Sequence, residues 1–250
     1  HFAIPQKLEF FGDDQAKYAF QLAVEQLKVL GAEITAIDFS AFEQLAAQLY
    51  QGSWVAERTA AVAELLAQQP DVFDPTVRAI IQKGHDFSAV DAYNAEYLKQ
   101  DLSRKIQDTL AQFDALIVPT SPTIHTLAEM EQSPISLNSE FGTYTNFTNL
   151  ADLSALALPA GFRTDGLPFG ISLIAPAWYD QALIEFGKIW QTHLNLKLGA
   201  LNRYASIPKL QHTVSPHHIR VAVVGAHLTG MPLNFQLLTR DAVLVETTHT

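Results

Sequence analysis

The sequence predicts an α/β fold, a mixed sheet flanked by helices, and three observations carry that prediction. The chain opens on a β-α-β pattern, its clearest helical stretch runs directly into an apolar strand-like run at Ala115–Val118, and two later strand-like runs are joined by a tight-turn sequence. In the opening unit Ala3-Ile4-Pro5 reads as the end of a strand. Asp13 or Asp14 then caps a helix to Leu30, with Phe20, Ala23, Leu27 and Leu30 on one face, and Gly31 suits a left-handed stop before a strand over Glu33–Ile37. A second helical stretch runs from Phe42 toward Gln68, interrupted at Gly52 and ended before Pro70. In the third, Ser88 and Asp91 have capping-box spacing, and Leu98, Leu102, Ile106 and Leu110 recur every fourth residue.

The run Ala115–Val118 closes on Pro119-Thr120-Ser121-Pro122, a loop of the kind on which α/β enzymes place binding groups. Ala155–Ala160 and Phe169–Ile174 flank Thr164-Asp165-Gly166-Leu167-Pro168, whose Asp-Gly pair predicts a hairpin. Asp180 is expected to cap a last helix through Leu183, Ile184, Gly187 and Leu194. Residues 1–198 thus form one domain. Periodicity disappears over residues 199–218, which read as a linker, and a strand is expected at Ile219–Val224, opening a second, α+β domain over residues 219–250.

Composition narrows the function. Over 250 residues, 48% hydrophobic and 17% charged side chains describe a folding chain rather than a disordered one. Twenty-six acidic against sixteen scattered basic residues give a net charge of -10, which argues against a nucleic-acid partner. No aliphatic run approaches the ~20 residues that cross a bilayer, so no membrane partner is expected. With no cysteine there is no disulfide or thiolate chemistry, which fits a cytoplasmic setting. The chain begins at His1 and stops at Thr250, and both ends are read as cuts in a longer protein.

Several motifs carry less than they suggest. Leu8-Glu9-Phe10-Phe11-Gly12-Asp13 has one glycine where a phosphate cradle needs three, so no dinucleotide cofactor is expected, and no other cofactor either. His217, His218 and His227 lack Cys or paired carboxylates at ligand spacing, so no metal is expected. Ser53 and Ser121 stand in no nucleophile elbow and are read as helix and turn hydroxyls. Leu49-Tyr50-Gln51-Gly52-Ser53-Trp54-Val55-Ala56-Glu57-Arg58 is more informative. Eight helical residues advance ~12 Å and turn ~80° beyond two turns, so Tyr50 and Arg58 can flank one pocket, more readily if Gly52 bends the axis. A carboxylate between them could accept a bidentate bond from Arg58 and a hydroxyl bond from Tyr50; the alternative is a surface arginine paired with a neighbouring glutamate.

The stretch Asn146–Ala160, followed by Gly161-Phe162-Arg163-Thr164-Asp165-Gly166-Leu167-Pro168-Phe169-Gly170-Ile171-Ser172-Leu173-Ile174, resembles the C-terminal signature of the amidase-signature family, and Val118–Thr123 resembles its Pro-Thr-x-Pro loop, in family order. The Ile4–Asp38 segment, the Tyr50–Arg58 block and Val223–Asn234 are similar to the allophanate hydrolases within that family. The resemblance implies part of an amidohydrolase that converts allophanate to ammonia and carbon dioxide in urea degradation. It implies Tyr50 and Arg58 as binding residues for a small substrate with a carboxylate. It also implies a Ser-Ser-Lys catalytic triad upstream, so that no catalytic residue falls in these 250 and the chain alone is expected to be inactive. Residues 219–250 would open a domain similar to γ-glutamylcyclotransferases, with His227 and Asn234 as minor candidates there. A urea carboxylase partner and a homodimer are both compatible with this reading. Two alternatives stay open: another amidase-signature enzyme, such as one of the glutamyl-tRNA amidotransferase subunits, or a non-catalytic α/β binding module.

Overall fold

The computed structural model describes residues 1–199, 201–204, 219 and 221–247. The chain divides into two compact units, His1–Tyr204 and Ala205–Thr250.

The first unit is built on a five-stranded mixed sheet. Its strands are β1 (Phe2–Pro5), β2 (Ile34–Ile37), β3 (Ala115–Pro119), β4 (Leu153–Phe162) and β5 (Pro168–Pro176), in the order β2-β1-β3-β5-β4. β1 runs parallel to β2 and β3, and β5 runs antiparallel to β3 and β4. The opening β-α-β unit and the late hairpin therefore meet at β3, whose five residues are all buried. Alternation along β3 sends Ala115 and Ile117 to one face and Leu116 and Val118 to the other. On the first face lie α1 (Asp14–Val29) and α10 (Asp180–Leu194), with Phe20, Leu27, Leu183 and Trp190 in the core. On the second lie α2 (Ser40–Gln51), α6 (Ala89–Leu110) and α9 (Phe147–Leu150), with Phe42, Leu45, Ile106 and Phe147.

Local signals explain most boundaries. The Asp13 side chain accepts from the Ala16 N–H to start α1, and Gly31 takes a left-handed φ of 90° after it. Ser88 and Asp91 form the expected capping box on α6. Leu102, Ile106 and Leu110 are buried as the period predicts, but Leu98 is exposed: 22 residues of helix outrun the short strands beneath, leaving its first half without sheet to cover. Ile184 is likewise exposed on α10. That helix is capped at Tyr179 without a side-chain bond; Asp180, expected as the cap, is its first residue and accepts instead from Ser154 Oγ at 2.9 Å.

The stretch from Phe42 to Gln68 breaks twice, giving α2, α3 (Trp54–Ala61) and α4 (Ala63–Gln68). After a 3-10 turn at Pro70–Val72 come α5 (Pro75–Gln82) and a second 3-10 turn at Lys83–Asp86. Two further helices, α7 (Leu127–Gln132) and α8 (Pro134–Phe141), follow β3. Periodicity along the sequence anticipates none of α5, α7, α8 and α9.

In the second unit the expected strand does not form: Ile219 and Val221–Val224 have no regular structure, because a strand needs a hydrogen-bonded neighbour and no described residue supplies one. A 3-10 turn at Gly225–His227 and the short α11 (Phe235–Leu238) are its described elements. Most of the proposed linker, with His217 and His218, lies outside the described residues.

Trp190 is fully buried, and its indole N–H donates to the Pro159 carbonyl at 2.9 Å, beside the irregularity in β4 between Pro159 and Gly161. Trp190→Ala should therefore lower unfolding free energy by ~3–5 kcal/mol in denaturant titration. A loss below ~1 kcal/mol would mean that α10 does not close this face of the core.

Candidate functional site

α2 ends at Gln51 and α3 begins at Trp54, and the chain turns between them at Gly52 in an extended conformation. A Cβ on Gly52 would lie 2.8 Å from the Gln48 carbonyl oxygen, so the turn needs a glycine. α2 is held to the sheet by Phe42 and Leu45. α3 is held by Val55 and by Thr59, whose hydroxyl donates to the Val55 carbonyl at 3.0 Å and the Ile81 carbonyl at 2.5 Å. Gly84 fits against Thr59, where a Cβ would collide with its hydroxyl.

The turn brings Tyr50 and Arg58 into contact. Arg58 Cζ stands 4.7 Å from the centroid of the Tyr50 ring. The guanidinium lies over the ring, so the two side chains touch rather than face one another across a gap, a cation-π contact worth ~0.5–1 kcal/mol at an exposed site. Among the described residues no carboxylate pairs with Arg58. A cavity of about 180 Å³ borders Tyr50 but not Arg58.

The loop after β3 lies beside a larger cleft of about 380 Å³, lined by Thr120, Thr123, Leu158, Arg163 and Phe169 among others. Its hydroxyls are engaged structurally. Thr120 and Ser172 hydroxyls lie 3.0 Å apart, Ser121 donates to the Thr123 carbonyl, and Thr123 donates to Asp13 at 3.2 Å. Ser53, at the start of α3, is buried and makes no capping bond. Arg163 ties the region together: Nη1 donates to Asp13 at 2.7 Å while Nε and Nη2 grip Asp165 in the hairpin turn. Its side chain is 7% exposed and that of Asp13 12%, so the pair is largely withdrawn from water. Tyr144 donates to the Glu9 carbonyl at 3.0 Å, and burial pushes its phenol up to about 12.

In the second unit His227 and Asn234 are brought together structurally: Asn234 Nδ2 donates to the His227 carbonyl at 2.9 Å and Gln236 holds the His227 ring. Among the described residues no cluster of His, Asp or Glu could hold a metal ion, and no helix is long and apolar enough to cross a membrane.

The Asp13–Arg163 pair, separated by 150 residues, has no local signature. The unanticipated helices do. Thr126 and Glu129 form a capping box for α7, and Asp74 before Pro75 starts α5.

Burial alone would raise the Asp13 carboxyl, but the Ala16 N–H, the Arg163 guanidinium and the Thr123 hydroxyl together hold it below its usual value. A carboxyl depressed on folding stabilises above its unfolded pKa of about 3.9, and that contribution is lost as pH falls through the folded value. Asp13→Asn should cost about 1.5–3 kcal/mol at neutral pH, with the gap to wild type closing below about pH 4. Unfolding titrations across pH 2–7 check this; a gap independent of pH would show that the ion pair does not act through the Asp13 charge.

Comparison with known proteins gives the chain its relatives. The family model described as Amidase matches residues 2–184, and that described as Allophanate hydrolase C-terminal domain matches residues 219–250. Urea amidolyase of Saccharomyces cerevisiae is 40% identical over 259 residues, covering 99% of this chain and 14% of the relative. Urea amidolyase of Lachancea kluyveri is 39% identical over 254 residues, covering 94% of this chain and 13% of the relative. The allophanate hydrolase of Kluyveromyces lactis superposes with a TM-score of 0.79 at 38% identity, over 98% of this chain and 42% of that one. The chain thus spans less than half the length of each of these relatives. The amidase match takes in the five strands, the Tyr50–Arg58 turn and the hairpin, and the chain accordingly belongs to the amidase family, with residues 219–250 matching the allophanate hydrolase C-terminal domain.

Proposed function

We propose that the chain serves, within a longer protein, in the hydrolysis of allophanate to ammonia and carbon dioxide during urea breakdown in the cytoplasm. Its part is to hold the substrate. The observation that carries this reading is the Arg58 guanidinium held over the Tyr50 ring, with no carboxylate among the described residues paired to it. A small carboxylate can accept two parallel N–H bonds from such a guanidinium, and the stacked ring keeps the fork from rotating. The Tyr50 hydroxyl, at the edge of the same stack, supplies a third bond. The similarity to proteins named allophanate hydrolase and urea amidolyase supports this choice of substrate, and a urea carboxylase acting in concert is part of the same proposal.

The nucleophile and its base belong, on this reading, to residues outside these 250. Amide hydrolysis of the kind the resemblance implies needs a serine activated by a neighbouring base, and groups that only orient a substrate do not replace it. Loss of a nucleophile costs around 10⁶-fold in a comparable serine hydrolase.

In the full-length enzyme, Arg58→Ala should lower the specificity constant for allophanate by an amount equivalent to ~2–5 kcal/mol, since the substrate carboxylate loses its charged partner. Tyr50→Phe should cost ~1 kcal/mol, because it removes one hydroxyl bond and keeps the stacked ring. Steady-state ammonia release measures both. Arg58→Ala within twofold of wild type would refute the assignment. Residues 1–250 expressed alone should release no ammonia from allophanate above background, and turnover by the purified chain would refute the proposed division of labour.

A further inference from the structure

Arg58 lies over Tyr50 only while α3 keeps one roll about its own axis, and few groups set that roll. α3 has eight residues, no side-chain cap at Ser53, and two buried side chains, Val55 and Thr59. A helix of two turns is not stable by itself and takes its position from what it packs against. Val55 and Thr59 are four residues apart and form its inner stripe. Trp54 packs against the core at its first turn. Apolar contacts of this kind have no direction and let a short helix roll or slide. Among the described residues, the Thr59 hydroxyl alone of the α3 side chains makes hydrogen bonds.

That hydroxyl carries one proton and has two acceptors in reach, the Val55 carbonyl at 3.0 Å within α3 and the Ile81 carbonyl at 2.5 Å in α5. The shorter contact is the one that leaves the helix. Ile81 stands in the last turn of α5, where carbonyls lack their usual partner four residues on, and the Thr59 hydroxyl joins the Lys83 N–H in satisfying it. Gly84 makes the approach possible: a Cβ there would collide with the Thr59 hydroxyl and come 2.8 Å from Ala56 Cα. Thr59 follows Arg58 directly, so the two project ~100° apart around α3, one into this buried interface and the other toward Tyr50. A helix is ~10–12 Å across, so a roll of ~10° moves a group on its rim by ~1 Å. Misplacement on that scale can cost up to ~100-fold. We propose that Thr59 is the positioning residue of the carboxylate site: its bond to the Ile81 carbonyl, made through the gap at Gly84, fixes the roll of α3 at which Arg58 lies over Tyr50. The inference rests on the reading of Arg58 as the carboxylate partner.

The test is steady-state ammonia release from allophanate by the full-length enzyme, with all rates taken well below the thermal midpoint of the least stable variant. Thr59→Val keeps the shape and removes the hydroxyl; it should raise KM at least about fivefold and leave kcat within about twofold, as loss of ground-state binding does. Thr59→Ser restores the hydroxyl and should return KM to within about twofold of wild type. In an Arg58→Ala background Thr59→Val should change the specificity constant by less than about twofold, because the group it positions is gone, whereas a purely structural loss would add to that of Arg58→Ala. Gly84→Ala displaces the same hydroxyl from outside α3 and should raise KM as Thr59→Val does; if Thr59→Val does not fold, Gly84→Ala decides by the same criterion. Arg58→Ala impaired but Thr59→Val like wild type overturns the inference and leaves the Arg58 reading standing, while Arg58→Ala like wild type overturns both. Additive losses in the double variant, or Thr59→Ser as impaired as Thr59→Val, would reduce Thr59 to packing and also overturn the inference.

Discussion

The sheet of the first unit is covered on both faces, and the placement of Tyr50, Arg58, Asp13 and Arg163 follows from that constraint. A strand buried on two sides must be apolar throughout, which is why β3 reads as an unbroken run, and why polar chemistry begins only where it ends, at Thr120. The helices that cover the faces then become the supports for functional side chains. α2 belongs to one layer through Phe42 and Leu45, and its last turn extends past the core to present Tyr50. α1 belongs to the other through Phe20 and Leu27, and its first turn offers Asp13 to Arg163. In both cases a hydrophobic anchor and a polar end sit on one helix.

Two kinds of arginine result. Arg163 is buried and doubly paired with carboxylates, an arrangement that fixes the hairpin turn to the start of α1 and leaves the guanidinium little capacity for a ligand. Arg58 is partly exposed and stacked on an aromatic ring, which orients it without using its hydrogen bonds. In a chain of net charge -10 a cation kept available in this way is a natural place for an anion to settle.

Much of this is legible in the sequence wherever the signal is local. The Asp13 cap, the Ser88–Asp91 box, the Gly31 stop and the Asp-Gly hairpin each depend on residues within a few positions of one another. So does the Gly52 break, which makes the meeting of Tyr50 and Arg58 foreseeable, though not the stacking, since spacing along a helix says nothing of rotamers. What cannot be read is set by tertiary contact. Arg163 finds Asp13 from 150 residues away, and Asn146 owes its position to Gly142 and the packing of α9 against α2. The run Ile219–Val224 has strand composition but no described partner, and composition alone does not make a strand. Thr126 and Glu129 are the opposite case, a local capping signal in front of a helix too short to show periodicity.

The central claim is that Arg58 reads a negative charge on the substrate. Replacing the carboxylate of allophanate by a carboxamide gives biuret, which keeps the scissile group and loses the charge. The ratio of specificity constants for allophanate over biuret, measured in the full-length enzyme and in Arg58→Gln, tests the claim most directly. A preference of at least about a hundredfold is expected in wild type, falling to within about tenfold in the variant. A ratio unchanged by Arg58→Gln would contradict it.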